Sequence, residues 1–413
     1  VYNNIGSIGV NSSSSNNVVL VTGANSLWSN RVNLNVGFSG RNSTLTISNG
    51  ASVMASNLIM GVNASSSNNV MNLSGAASQM VVTNAAGTGT SDIRRGTFTQ
   101  DGGTLRTDNL LVTNAAGLYT LNGGTAIVAN ATISNGALFM VGNGTGAALF
   151  NGLAGGTNTF NNGVRIAAQG TLTANGTVTS GFMETLANGT VNLNGTLSGT
   201  TTLLTNNGTF NASNSFTVAG LEGTTGILNL NGAGVTGTLN TAGTSTYDGV
   251  IAGAGAWTKQ GTGTFNLGGN NTFTGPLNIN GGILNANGGN AIADTVAVTV
   301  NTGATLGLGS SETIGSLAGA GNVTLGGNTL SAGGNNTSTT FSGVMSGTGA
   351  YTKNGTGTNT LTGVNTYTGT TTVNAGALVL NGSVVGDLIV NASGFLGGSG
   401  TIGGNLFNNG FIN

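Results

Sequence analysis

The chain repeats itself at fixed offsets, and this constrains its fold more than anything else in the sequence. In the C-terminal half, Gly253-Ala254-Gly255-Ala256-Trp257-Thr258-Lys259 returns as Gly347-Thr348-Gly349-Ala350-Tyr351-Thr352-Lys353, 94 positions later. Gly261-Thr262-Gly263 returns as Gly355-Thr356-Gly357 at the same offset, and Asn271-Thr272-Phe273-Thr274-Gly275 as Asn365-Thr366-Tyr367-Thr368-Gly369. Asn280, Gly282 and Leu284 match Asn374, Gly376 and Leu378. Near the N-terminus, Gly9-Val10-Asn11, Asn16-Asn17-Val18 and Thr22-Gly23-Ala24 return as Gly61-Val62-Asn63, Asn68-Asn69-Val70 and Ser74-Gly75-Ala76, an offset of 52. A half-step copy lies between them at Val36-Gly37-Phe38 and Leu45-Thr46-Ile47. In the middle, Phe98-Thr99-Gln100-Asp101-Gly102-Gly103-Thr104 matches Tyr119-Thr120-Leu121-Asn122-Gly123-Gly124-Thr125, an offset of 21. Such a chain builds one unit many times and buries its core by stacking neighbours.

The residues inside each repeat specify the unit. Ser43-Thr44-Leu45-Thr46-Ile47-Ser48 alternates polar and apolar side chains, the period of a half-buried strand. Helical periodicity is absent, and Gly and β-branched residues disfavour helices. Gly and Asn between the strands tolerate positive φ and turn corners. A period near 21 residues suits one coil of a parallel β-helix, with Val, Ile, Leu and Phe inside and Thr, Ser and Asn outside. Like residues on successive coils then form ladders. The expectation is an all-β, right-handed parallel β-helix of about 20 coils, about 95 Å long at ~4.8 Å per coil. It covers residues 1–413 as one continuous solenoid with three regimes: 1–90 with the 52-residue period, 91–245 with coils of about 21 residues, and 246–413 with the 94-residue spacing. An array of immunoglobulin-like sandwiches needs a larger aromatic core than the 5% of aromatic residues available here.

Composition narrows the chemistry. Charged residues make up 4% of the chain and the net charge is −1. Nucleic-acid binding relies on several Lys or Arg neutralising phosphates, and no such patch exists. No polybasic segment addresses anionic lipid. No 18-residue apolar run exists to cross a membrane as a helix. The chain begins at Val1 without Met and lacks a signal-peptide pattern, so it reads as a piece of a longer precursor.

Histidine and cysteine are both absent. That removes Ser-His-Asp and Cys-His nucleophiles and imidazole or thiolate metal ligands. Carboxylates are the remaining candidates: Asp92, Asp101, Asp108, Glu184, Glu222, Asp248, Asp294, Glu312 and Asp387. Acid/base pairs and calcium sites are both built from clustered carboxylates. The densest cluster is Asp92, Arg94, Arg95, Asp101, Arg106 and Asp108. A 21-residue coil stacks Asp101 on Asn122, which leaves it without a second carboxylate. We therefore read the cluster as a solvated ion-pair patch, and expect no catalytic, cofactor or metal site. Trp257, Tyr351, Phe273 and Tyr367 are expected in the core, with a sugar-stacking face as the alternative. Lys259 and Lys353 are expected to point outward.

Residues 253–284 and 347–378 resemble the passenger-associated transport repeat of autotransporters, with Lys259 and Lys353, Asn271 and Asn365, and Gly275 and Gly369 at its characteristic positions. Gly394–Gly404 with Asn408-Asn409-Gly410 looks like the end of such passengers. Val21-Thr22-Gly23-Ala24-Asn25-Ser26-Leu27-Trp28 resembles a related repeat in exported proteins of Verrucomicrobia, Planctomycetes and similar bacteria. The resemblance implies a right-handed β-helix outside a Gram-negative-type cell, and it implies no particular activity. One departure is that no translocator-type β-barrel segment is present. Together these readings point to an extracellular stalk, coat or filament that self-associates end to end, or to an adhesin that binds surface glycans along its flank. A polysaccharide-active enzyme, which would need Asp101 and Asp108, is a remote third.

Overall fold

The computed structural model describes residues 1–199 and 202–413. No helix occurs among them, and short parallel strands stack into a β-solenoid of about 18 turns. The chain divides into two compact units, one of residues 1–202 with 207–211 and the other of 203–206 with 212–413.

In the N-terminal unit each coil carries three inward ranks. Leu45, Met71, Phe98 and Tyr119 lie in register on one face. Val53, Met80, Leu105, Ala126, Phe150, Leu172 and Val191 form the second. Leu58, Ser91, Leu110, Ala131, Asn158, Val178 and Leu197 form the third. All of these side chains are buried. A parallel in-register stack sets each side chain directly over its counterpart, so the buried ranks run along the axis, apolar except at Ser91 and Asn158.

The register explains the 52-residue period. Val18 pairs with Thr44 and Thr44 with Val70, so the period is two coils of 26 residues. From Thr97 to Leu118 the step is 21, the period expected for the middle of the chain. The longer early coils consume more chain per turn, which is why there are about 18 turns where a uniform 21-residue coil predicted about 20.

The C-terminal unit is also three-faced. Trp257, Leu277, Val298 and Leu317 share one face. Phe265, Leu284, Leu306, Val323 and Met345 share the next. Glu312, Leu330, Tyr351, Thr371 and Leu388 share the third. These steps run from 17 to 22 residues, and Lys259 reaches Phe341 after four coils, 82 residues on, and Leu361 after five, 102 residues on, so a 94-residue offset is not a whole number of coils. The first repeat's Ile251 lies on the third face, reached coil by coil through Asn271, Ala291 and Glu312. Its counterpart Met345 lies on the second face, and Tyr351, the counterpart of Trp257, lies on the third. The two copies of the repeat are therefore turned by one face about the solenoid axis.

Candidate functional site

The repeat builds a corner, and its most informative residue is the lysine. Lys259 and Lys353 follow Trp257 and Tyr351 by two positions, so strand alternation puts them on the inner side with the aromatics. Both are almost fully buried, where outward charges were expected. The physical reason lies in the turn that follows. The chain reverses at a glycine and directs a cluster of carbonyls inward, and an ammonium has three protons to satisfy them. Lys259 Nζ donates to the carbonyls of Gln260 at 2.8 Å, Gly261 at 3.1 Å and Gly281 at 3.0 Å. Lys353 Nζ donates to those of Asn354 at 2.6 Å, Gly355 at 2.9 Å and Ala375 at 3.2 Å. Each cage ties one coil to the next. Burial pulls the Lys259 ammonium down to about 8 and shifts Lys353 in the same direction. At pH 7 the Lys259 ammonium remains charged.

The asparagine of each copy performs a second join. Asn271 Oδ1 accepts from the Ile251 amide at 2.6 Å, and its Nδ2 donates to the carbonyls of Gly269 and Ala291 at 3.0 and 2.7 Å. Asn365 does the same with the Met345 amide at 2.9 Å and the carbonyls of Gly363 and Ser383 at 3.1 and 3.0 Å. One side chain thus joins three successive coils where strand pairing lapses. The glycine that closes the motif is needed for close approach. A Cβ on Gly275 would lie 2.2 Å from the Gly255 carbonyl oxygen, and one on Gly369 would lie 2.1 Å from that of Gly349.

Trp257, Phe273, Tyr351 and Tyr367 are all in the core, as expected. Trp257 packs against Phe265 and Phe216, with ring centroids 6.2 and 6.4 Å apart. Tyr351 donates its hydroxyl proton to Asn359 Oδ1 at 2.8 Å. The Tyr367 hydroxyl shares a 2.5 Å hydrogen bond with Thr371 Oγ1. A sugar-stacking face made from these rings is excluded by their burial.

The structure separates the carboxylate cluster. Asp92 pairs with Arg94 Nε at 2.6 Å on the surface. Asp101 accepts from Asn122 Nδ2 at 2.8 Å, the stack expected from the 21-residue coil. Asp108 Oδ2 accepts the amides of Asn84 and Gly89 at 3.2 and 2.8 Å and so fixes a turn. Arg95 donates to the Gly61 carbonyl at 3.2 Å. Arg106 sits in a strand between Val81 and Ile127 on neighbouring coils. Of the other carboxylates, Glu184 pairs with Arg165 on the coil below. Asp387 Oδ1 accepts the Asn405 amide at 2.7 Å, and Glu222 accepts that of Thr246 at 3.2 Å. Among the described residues no group of three or more potential metal ligands is brought together.

The flank carries ladders instead. Asn391, Asn374 and Asn354 pass a side-chain hydrogen bond from coil to coil at 2.7 and 2.8 Å. Asn175 bonds Asn151 at 3.0 Å, and Asn130 bonds Asn109 at 3.2 Å. Such amide ladders satisfy donors and acceptors along the axis without charge.

Sequence reasoning missed the unusual position of Glu312. It is 2% exposed, in the inward position of the strand Glu312–Ile314. Alternation with Ile314 was the available signal, since both residues face the same way.

Residues 258–286 and 352–380 match the family model of the passenger-associated-transport-repeat. They contain both lysine cages, both bridging asparagines, Phe273 and Tyr367, and each begins one residue after Trp257 or Tyr351. No curated protein matches the chain.

Proposed function

Given two passenger-associated transport repeats built into stacked parallel coils, as fits an autotransporter passenger β-helix, we propose that this chain is the structural part of such a passenger, displayed outside the cell. In this reading it serves as a stalk, coat or filament element and runs as one continuous solenoid. The observation that carries the proposal is how the polar groups are used. The buried lysines, the bridging asparagines and the carboxylates of Asp108, Glu222, Glu312 and Asp387 bond to the backbone of an adjacent coil or turn. They hold coils together rather than converging on a common point where a substrate would sit.

Stacking also supplies the partner. Strand Val18–Thr22 leaves Val18 and Leu20 exposed, and strand Leu406–Asn408 leaves Leu406 and Phe407 exposed. Apolar strands of this kind accept a further coil by edge pairing, whether from the rest of the same polypeptide or from another copy. The test is electron microscopy of the purified chain over a range of concentrations. Rods that join end to end as concentration rises are expected. Separate short rods at every concentration would overturn self-association. The second reading is an adhesin, favoured by the uncharged amide ladders of the flank. A glycan array with binders that are lost when Asn374 is changed to Ala would favour that reading over the structural one.

A further inference from the structure

Glu312 is buried without a cation, and the C-terminal unit has to accommodate it. Its Oε2 accepts the Ala291 amide at 3.2 Å, while its Oε1 is buried with no hydrogen-bond partner. The strand Glu312–Ile314 packs against Thr329–Ala332 on one side and against residues 287–296 on the other. The inner faces opposite are formed by Ala297–Val300, Ser316–Gly319, Ala304–Leu308 and Asn322–Gly326. The only titratable side chain on all these segments is Asp294. It carries the same charge and disfavours ionisation further.

A carboxylate taken out of water needs a cation or a full set of donors. Glu312 has no cation and leaves one oxygen unmatched. As a neutral acid it avoids most of that cost. We propose that Glu312 makes the C-terminal unit an acid-stabilised structure, in which protonation consolidates the coils around residues 291–314 and a rise in pH towards neutrality loosens them.

Burial, chiefly, pushes the Glu312 carboxyl up to about 7, against an ordinary 4.5; the amides of Ile292, Ala291 and Thr313 pull the other way, and Asp294 adds a smaller push upward. Between those values the folded chain holds a proton that the unfolded chain has released. Stability from this group therefore falls as pH rises through that window and levels off above it. Glu222 shifts in the same direction through burial, but it lies partly open to solvent and adds less.

Two measurements on the whole chain test this. Glu184, Glu222 and Glu312 are its three glutamates, so selective 13C labelling gives three carboxyl signals, and Glu312→Gln assigns one of them. The Glu312 signal is expected to titrate near neutrality, and a midpoint below pH 5 would overturn the proposal. Thermal unfolding from pH 5 to 8 is the second measurement. The midpoint of the native chain should fall by about 5 °C more than that of Glu312→Gln. Parallel curves for the two proteins would also overturn it. If Glu312→Gln does not fold, Glu312→Met supplies the non-ionising reference, and the direct titration stands without either variant. Asp294→Asn should lower the Glu312 midpoint, and no change would remove Asp294 from the device.

Discussion

The two copies of the transport repeat share a backbone corner and differ in what fills it. Trp257 and Phe265 of the first copy correspond to Tyr351 and Asn359 of the second. The first pair is two rings in contact, and the second is a hydroxyl bonded to an amide oxygen. Phe273 and Leu277 correspond in the same way to Tyr367 and Thr371, again with a hydrogen bond in the second copy. Each added hydroxyl therefore comes with a polar partner in place of an apolar one. A buried hydroxyl without a partner costs about 1–3 kcal/mol, so the two members of a pair have to change together. The lysine cage, by contrast, is the same in both copies although they lie on different faces of the solenoid. The repeat is thus a specification for a locked corner, indifferent to which face it closes and tolerant of either kind of core filling.

The comparison can be broken in order of expected effect. Trp257→Ala should cost about 3–5 kcal/mol in chemical denaturation, because a rigid stacked core closes poorly over the cavity. A loss below 1 kcal/mol would show that this part of the solenoid is loosely packed. Lys259→Met and Lys353→Met should each cost about 3 kcal/mol, since three buried carbonyls lose their donor. Equal losses would confirm that the corner acts independently of its face, and a neutral result at either site would undo the cage as a structural lock. Tyr351→Phe should cost about 1–2 kcal/mol by leaving Asn359 Oδ1 without its donor. Combining Tyr351→Trp with Asn359→Phe should recover part of the sum of the single losses, with a coupling of about 1 kcal/mol. Strict additivity would mean that the two positions do not sense each other. Glu184→Gln should change stability by less than about 1 kcal/mol, because its partner Arg165 is 37% exposed. A larger loss would show that surface charge holds the N-terminal unit as buried charge holds the corners.

Much of the fold was legible in advance. The alternation in residues 43–48, the 21-residue step and the stacking of Asp101 on Asn122 all appear as expected. The core positions of Trp257, Tyr351, Phe273 and Tyr367 followed from their size and spacing. The orientation of Lys259 and Lys353 was misread for an identifiable reason. Charge argues for water, alternation argues for the core, and only the inward carbonyls of the turn decide between them. The carboxylates between Asp92 and Asp108 are close in sequence, but each has its own partner in the fold.

The order of residues by itself determined that this chain stacks parallel coils, where the coils turn, and which large side chains fill them, because period-2 alternation and glycine corners are local properties. It did not determine that the repeats are turned by one face, because 94 residues becomes a fraction of a coil only once each coil's length is set by packing. Nor did it determine that Glu312 would be enclosed without a cation. That depends on which segments of neighbouring coils close over it, and those segments meet it only in the folded stack.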